Sequence, residues 1–152
     1  MLRLVVLALL CASLCAKAQD VSITSDLSFG TIAIIDPNSA GTVTIVPNTR
    51  PQTSSNLLFV KFGHAAEIVL TGFPNNRQIS VQSNIYNDWL GYWNLGASDT
   101  FQLMTLYHEN VITTDSVGSG GFKVGGQLRF AGNGKAPTDG TQTLNVEITL
   151  SY

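Results

Sequence analysis

Apolar and polar positions alternate with a period of two in short runs along most of this chain, and no long stretch carries a capped helical stripe. Val21, Ile23, Leu27 and Phe29 fall on one face with Ser25 between them, while Ser22, Thr24, Asp26 and Ser28 fall on the other. Gly30 breaks the phase and Ile32 and Ile34 resume on even positions, so the first strand is expected to kink or bulge at the glycine. Asp36-Pro37-Asn38 marks a turn, Thr42 to Val46 a β-branched strand stopped by Pro47-Asn48, and residues 49–56 a polar loop. Apolar segments at 57–62 and 66–71 are separated by Gly63-His64. The dense turn Gly72-Phe73-Pro74-Asn75-Asn76 leads to a strand over 77–83, with Ile79 and Val81 inward and Ser80 and Gln82 outward.

From Asn84 to Asp99 the alternation is lost in an aromatic segment holding Tyr86, Trp89, Tyr92 and Trp93, and it returns at Phe101 to Tyr107. Gly118 to Gly121 reads as a hairpin tip, 122–130 as a strand interrupted by Gly125-Gly126, and Gly132 to Gly140 as a turn region. The last segment is the cleanest strand. Leu144, Val146, Ile148, Leu150 and Tyr152 face one way, and Asn145, Glu147, Thr149 and Ser151 the other. About seven to nine short strands at roughly ten-residue spacing predict an all-β, immunoglobulin-like β-sandwich. With no linker or repeat to divide it, this is one domain over residues 19–152.

The first residues add a compartment. Met1-Leu2-Arg3, the apolar run to Ala16 and the small-x-small site Ala16-Lys17-Ala18 form the three parts of a secretory signal, so residues 1–18 are expected to be cleaved. The apolar run is shorter than the roughly 20 residues of a membrane-spanning helix. A lipoprotein reading has Cys11 and Cys15 in the right region, but both follow leucine where lipid attachment wants a small residue. Both cysteines leave with the signal, so the mature domain has no disulfide and must be held by its core. Losing Arg3 and Lys17 leaves six basic against ten acidic residues, a mature charge of about −4. No nucleic acid partner is expected, because phosphate binding needs a clustered basic face.

Catalytic chemistry has no local signature. His64 and His108 lack a second ligand at metal spacing, no Gly-x-Ser-x-Gly elbow occurs, and the glycines 118–126 lack the Gly-Lys-Ser/Thr of a phosphate loop. No enzyme, metal or cofactor is expected. Trp89, Tyr92 and Trp93 are candidate glycan-contact aromatics, since planar rings among polar residues stack on sugar faces; covering the open end of the sandwich is the more frequent role of such rings. The remaining feature is topological. The N-terminal alternation and the C-terminal strand are sheet segments without proline and with few charges, and such edges invite pairing with another chain. An ordinary first strand of its own sandwich fits the N-terminal pattern equally well.

Five phrases in order resemble a known family: Leu27-Ser28-Phe29-Gly30-Thr31-Ile32, Gly41-Thr42-Val43-Thr44-Ile45, residues 66–75 ending Thr71-Gly72-Phe73-Pro74-Asn75, Phe122-Lys123-Val124-Gly125-Gly126-Gln127-Leu128, and Val146-Glu147-Ile148-Thr149-Leu150-Ser151-Tyr152. They are similar to the bacterial exported family catalogued as domain of unknown function 4402, over nearly the whole mature chain. That family looks like the pilin-type sandwiches handled by periplasmic chaperones and outer-membrane ushers, in which a neighbour's N-terminal strand completes an unfinished immunoglobulin-like fold. The resemblance implies a pilin-like, non-enzymatic subunit that reaches the cell surface or an extracellular filament through the periplasm. Its partners would be copies of itself or related subunits, a chaperone and an usher. It puts Val21, Ile23, Leu27 and Phe29 on or beside a donor strand and Leu144 to Tyr152 in the last strand. Only about ten mature residues precede Phe29-Gly30, a short donor at about 3.3 Å per residue. The alternative is a monomeric surface module that binds glycans or mediates adhesion.

Overall fold

The computed structural model describes residues 18–85, 89–90, 101–134, 140–141 and 143–152. Among them the strands are β1 (Asp20–Ser25), β2 (Ser28–Ile34), β3 (Gly41–Ile45), β4 (Gln52–Thr53), β5 (Leu57–His64), β6 (Ala66–Thr71), β7 (Gln78–Asn84), β8 (Trp89–Leu90), β9 (Phe101–Tyr107), β10 (Val111–Thr113), β11 (Gly120–Phe130) and β12 (Glu147–Ser151). No helix occurs among the described residues, so none is long and apolar enough to cross a membrane. The strand number exceeds the seven to nine expected because β4, β8 and β10 are two- or three-residue pairings too short to show alternation. The signal segment and both cysteines lie outside the described residues apart from Ala18.

Every pairing is antiparallel. The floor of the sandwich is one large sheet, ordered β1-β6-β11-β3-β4, with β9 also on β11 and β8 on β9. Strand β11 organises it. Its first half pairs with β6 and its second half with β3 and β9, which must lie on opposite edges because both pair with the same residues. The glycines at the changeover do not interrupt the strand, as the sequence had suggested. A side chain at Gly125 would lie 2.1 Å from the Ile45 carbonyl oxygen and one at Gly126 would lie 3.1 Å from the Phe29 ring, so their bareness lets neighbours close in on a continuous strand.

Two smaller sheets form the roof, β10-β7-β12 over one half and β2-β5 over the other. The first encloses Ile68, Leu70, Ile79, Val81, Ile112, Phe122 and Val124, and the second encloses Val43, Leu57, Leu103, Leu128 and Phe130; Leu106 touches both clusters. Apolar area withdrawn from water at about 25 cal/mol per Å² drives this closure.

The N-terminal part of the floor and the β2-β5 roof are one ribbon. Residues 20–34 run antiparallel to residues 57–71 with almost constant register, from Asp20↔Thr71 to Ile34↔Leu57. The ribbon crosses from floor to roof where pairing lapses at Asp26-Leu27 and Ala65, as strands do at a sandwich corner. The first strand expected over 21–34 is therefore two strands that serve different sheets. Leu27 packs against the first cluster and Phe29 against the second. Gly30 has φ +81°, and a Cβ there would sit 2.2 Å from the Lys61 carbonyl oxygen; the kink expected at this glycine is present, and the ladder slips one residue just beyond it.

Turn chemistry fixes the corner between β10 and β11. Thr114 is buried, its hydroxyl donating to the Pro74 carbonyl at 2.6 Å and accepting from the Arg77 N–H at 2.9 Å. Thr114→Val keeps the shape and orphans both groups, so urea denaturation should show a loss of about 2–6 kcal/mol, at roughly 1–3 kcal/mol per unsatisfied group. Thr114→Ser, which retains the hydroxyl, should lose about 1 kcal/mol.

Next to it the Asp115 carboxylate accepts the N–H groups of Ser119 at 2.8 Å and Val117 at 2.9 Å, and these bonds hold its pKa below the ordinary 3.8. A depressed carboxylate contributes stability that is complete above the ordinary value and is lost as pH falls through the lower folded value. The Tm advantage of the natural protein over Asp115→Asn should therefore hold at neutral pH and shrink below pH 3.8. A gap that does not change with pH would contradict this use of the charge.

Candidate functional site

Strand β1 sits at the edge of the floor with β6 as its neighbour, and its outer edge has no main-chain partner among the described residues. Val21 lies opposite Leu70 and Ile23 opposite Ile68. Directly opposed residues share a face, so both point to the core side with the fully buried Leu70 and the buried Ile68. Yet Val21 is 49% exposed and Ile23 64%. Among the described residues, the roof does not cover them.

The nearest roof edge is β12. It pairs with β7 on one side, and among the described residues nothing pairs on the other. Ile148 and Leu150 are half-buried against the first cluster, while Leu144 and Val146 pack against the second. The alternation expected from 144 onward is present, but hydrogen-bonded strand begins only at Glu147. Tyr152, expected to face inward, is 54% exposed and lies edge-on to Phe73 at 5.7 Å. Its hydroxyl accepts from the Gln19 side chain. That contact joins the end of β12 to the start of β1, and Val21, Ile23, Ile148 and Leu150 belong to the side where, among the described residues, neither strand has a second main-chain partner, an open side of the sandwich.

The described charge on this side is sparse. Asp20 and Glu147 are its acidic groups on β1 and β12, and neither strand contains lysine, arginine or proline. These are the devices that ordinarily block edge pairing. Thr24 Oγ1 donates to the Glu67 carbonyl at 3.2 Å and the Ser25 hydroxyl lies 3.3 Å from His64 Nδ1, both at the surface.

The two histidines stay apart. His64 ends β5, while His108 Nδ1 donates to the Glu109 carbonyl at 2.9 Å and Nε2 lies 2.9 Å from the Ser83 hydroxyl. Among the described residues no three His, Cys, Asp or Glu side chains stand together as a metal site. A cleft of about 210 Å³ is lined by Asn48, Thr49, Pro51, His64, Glu67 and Lys123 among others. Its Lys123–Glu67 ion pair, 2.9 Å long and half-exposed, contributes about 0.2–1 kcal/mol in such a setting. Of the candidate glycan aromatics, Tyr92 and Trp93 lie outside the described residues, and Trp89 is placed by its backbone, opposite Gln102.

Sequence reasoning missed a second apolar surface. Leu58, Val60 and Phe62 on β5 are each more than half exposed, and the Arg50 guanidinium covers Phe62 at 5.1 Å. The signal was present in the run Leu57-Leu58-Phe59-Val60, which is apolar on both faces of a strand.

No curated protein and no solved structure matches the chain. The family model described as domain of unknown function (DUF4402) matches residues 20–152. That span takes in every strand from β1 to β12, and the chain belongs to this family.

Proposed function

We propose that this chain is an exported structural subunit of a bacterial surface filament, assembled by β-strand complementation and without catalytic activity. Its partners are further copies or related subunits, brought to the surface through a periplasmic chaperone and an outer-membrane usher. The observation that supports the reading is the open side, where two sheet edges without a main-chain partner among the described residues flank Val21 and Ile23, which face the core yet remain exposed. Main-chain groups along such an edge give affinity to an extended peptide, and alternating side chains give fit. The N-terminal segment has the required alternation, Val21 and Ile23 against Ser22 and Thr24.

The test compares the chain starting at Gln19 with one carrying a second copy of residues 19–29 after a flexible linker at Tyr152, by size-exclusion chromatography and thermal melting. Tyr152 emerges beside Gln19, so a short linker reaches the open side. The plain chain should self-associate and the extended chain should be a monomer with a higher Tm. Two monomers of equal Tm would rule out strand complementation.

A further inference from the structure

We infer that the cleft beside His64 holds one acidic sugar unit, a hexuronate, with its carboxylate on Arg50 and its ring hydroxyls on the Glu67–Lys123 pair. This does not depend on the filament reading. The cleft lies where the ribbon crosses from floor to roof, lined from the end of β5, from the turn after β3, and by Glu67 of β6 and Lys123 of β11. Its volume of about 210 Å³ is below the roughly 300–1,000 Å³ of sites for drug-sized ligands, and suits a single small ring. Its polar groups are already set. Thr49 donates its N–H at 3.2 Å and its hydroxyl at 3.0 Å to the Val46 carbonyl. That turn holds Asn48 in the left-handed region at φ 63°. His64 Nδ1 lies 3.3 Å from both the Ser25 hydroxyl and the Ala65 carbonyl, which leaves Nε2 without a partner among the described residues. Glu67 and Lys123, 2.9 Å apart and half-exposed, set an acceptor beside a donor. Two adjacent ring hydroxyls can donate to the one and accept from the other.

Charge selects an acidic sugar over a neutral one. Residues 37–66 contain Arg50, Lys61 and His64 but no aspartate or glutamate, in a chain of net negative charge. Arg50 stands between Thr49 and Pro51, which both line the cleft, and its guanidinium lies 5.1 Å over the Phe62 ring, next in sequence to the lining residue Gly63. Cation–π attraction holds the guanidinium against the ring, and among the described residues no carboxylate pairs with it. A planar guanidinium fork that is held in place and unpaired matches a carboxylate with two parallel N–H bonds. Lys123 is already neutralised by Glu67. One uncompensated cation balances the single charge of a carboxylate better than the charge of about −1.5 to −2 on a phosphate group.

The test is ligand-observed saturation-transfer NMR on the chain from Gln19, which reads binding whether or not copies of the chain associate. The probes are the methyl glycosides of glucuronic and galacturonic acid, with methyl glucoside, methyl galactoside and free glutamate as controls. At least one uronoside should receive saturation, and the three controls should receive little. Arg50→Gln should weaken uronoside binding at least about tenfold with Tm unchanged, since Arg50 is exposed. Arg50→Lys, which keeps the charge without the fork, should recover only part of it. Equal transfer to the neutral glycosides would remove the carboxylate contact, and equal transfer to glutamate would remove the sugar. Uronoside binding that survives Arg50→Gln would place the ligand elsewhere. Each of these results overturns the inference, as does absence of transfer to both uronosides. None of them alters the filament reading, which self-association of the chain tests.

Discussion

Replacing Val21 and Ile23 together by threonine should weaken self-association about 100-fold while leaving the folded monomer almost as stable as before. Val21 is 49% and Ile23 64% exposed in the folded chain, so under the filament reading roughly 1–1.5 kcal/mol of burial per side chain is still to be gained when a neighbour's strand covers them, out of about 1.5–3 kcal/mol for complete burial. Two such side chains give about 2–3 kcal/mol, and each 1.4 kcal/mol is a factor of ten. Threonine keeps the β-branched shape that suits a strand, so the monomer's Tm should fall by only a few degrees. Sedimentation velocity alongside a melt separates the two effects. Unchanged association would remove these side chains from the interface, whereas a collapse of the melt would show that β1 is an integral part of the domain.

Phe130→Ala should be the most damaging single change within the fold. Phe130 ends β11, is fully buried, lies opposite Gly41 on β3 and Phe101 on β9, and meets the Phe101 ring at 5.4 Å. It sits where both ladders and the β2-β5 roof converge on the second cluster. Removing a buried phenyl ring costs about 3–5 kcal/mol in lost transfer energy and residual cavity. The folded state as a whole is worth only about 5–15 kcal/mol. The urea midpoint should drop accordingly with the slope unchanged, and Tm should fall by roughly 10–20 °C. Phe130→Leu, which keeps most of the apolar volume, should cost less than half as much. A small effect of Phe130→Ala would mean that the two roof sheets hold the sandwich with little help from this junction.

What could be read from the residues divides along a physical line. Period-two alternation reports faces, and the faces were legible: Ile79 and Val81 are buried as expected, and the half-buried positions at 144, 146, 148 and 150 keep the expected phase. Alternation does not report partners. Nothing local to Val21 or Ile32 shows that both belong to one ribbon with residues 57–71, because that register is set by the bend at Asp26-Leu27 and the close approach at Gly30. Gly125-Gly126 looked like an interruption because glycine weakens a strand. Its purpose here, room for the Ile45 carbonyl and the Phe29 ring, depends on elements distant in sequence. The candidate site was half visible. The alternation of Val21 and Ile23 was plain, but their exposure is a fact about where the roof ends, and only the packed sandwich shows where β12 stops.

Under the filament reading proposed above, copies of this chain join head to tail through a donated N-terminal strand. A donor and an acceptor on different surfaces generate an open-ended chain rather than a closed pair. The most direct measurement is the molar mass of the chain from Gln19, by light scattering across a concentration series from low to high micromolar. A mass that rises with concentration through dimer and beyond is the predicted result. A mass fixed at the monomer, or one that stops at a dimer, would contradict it.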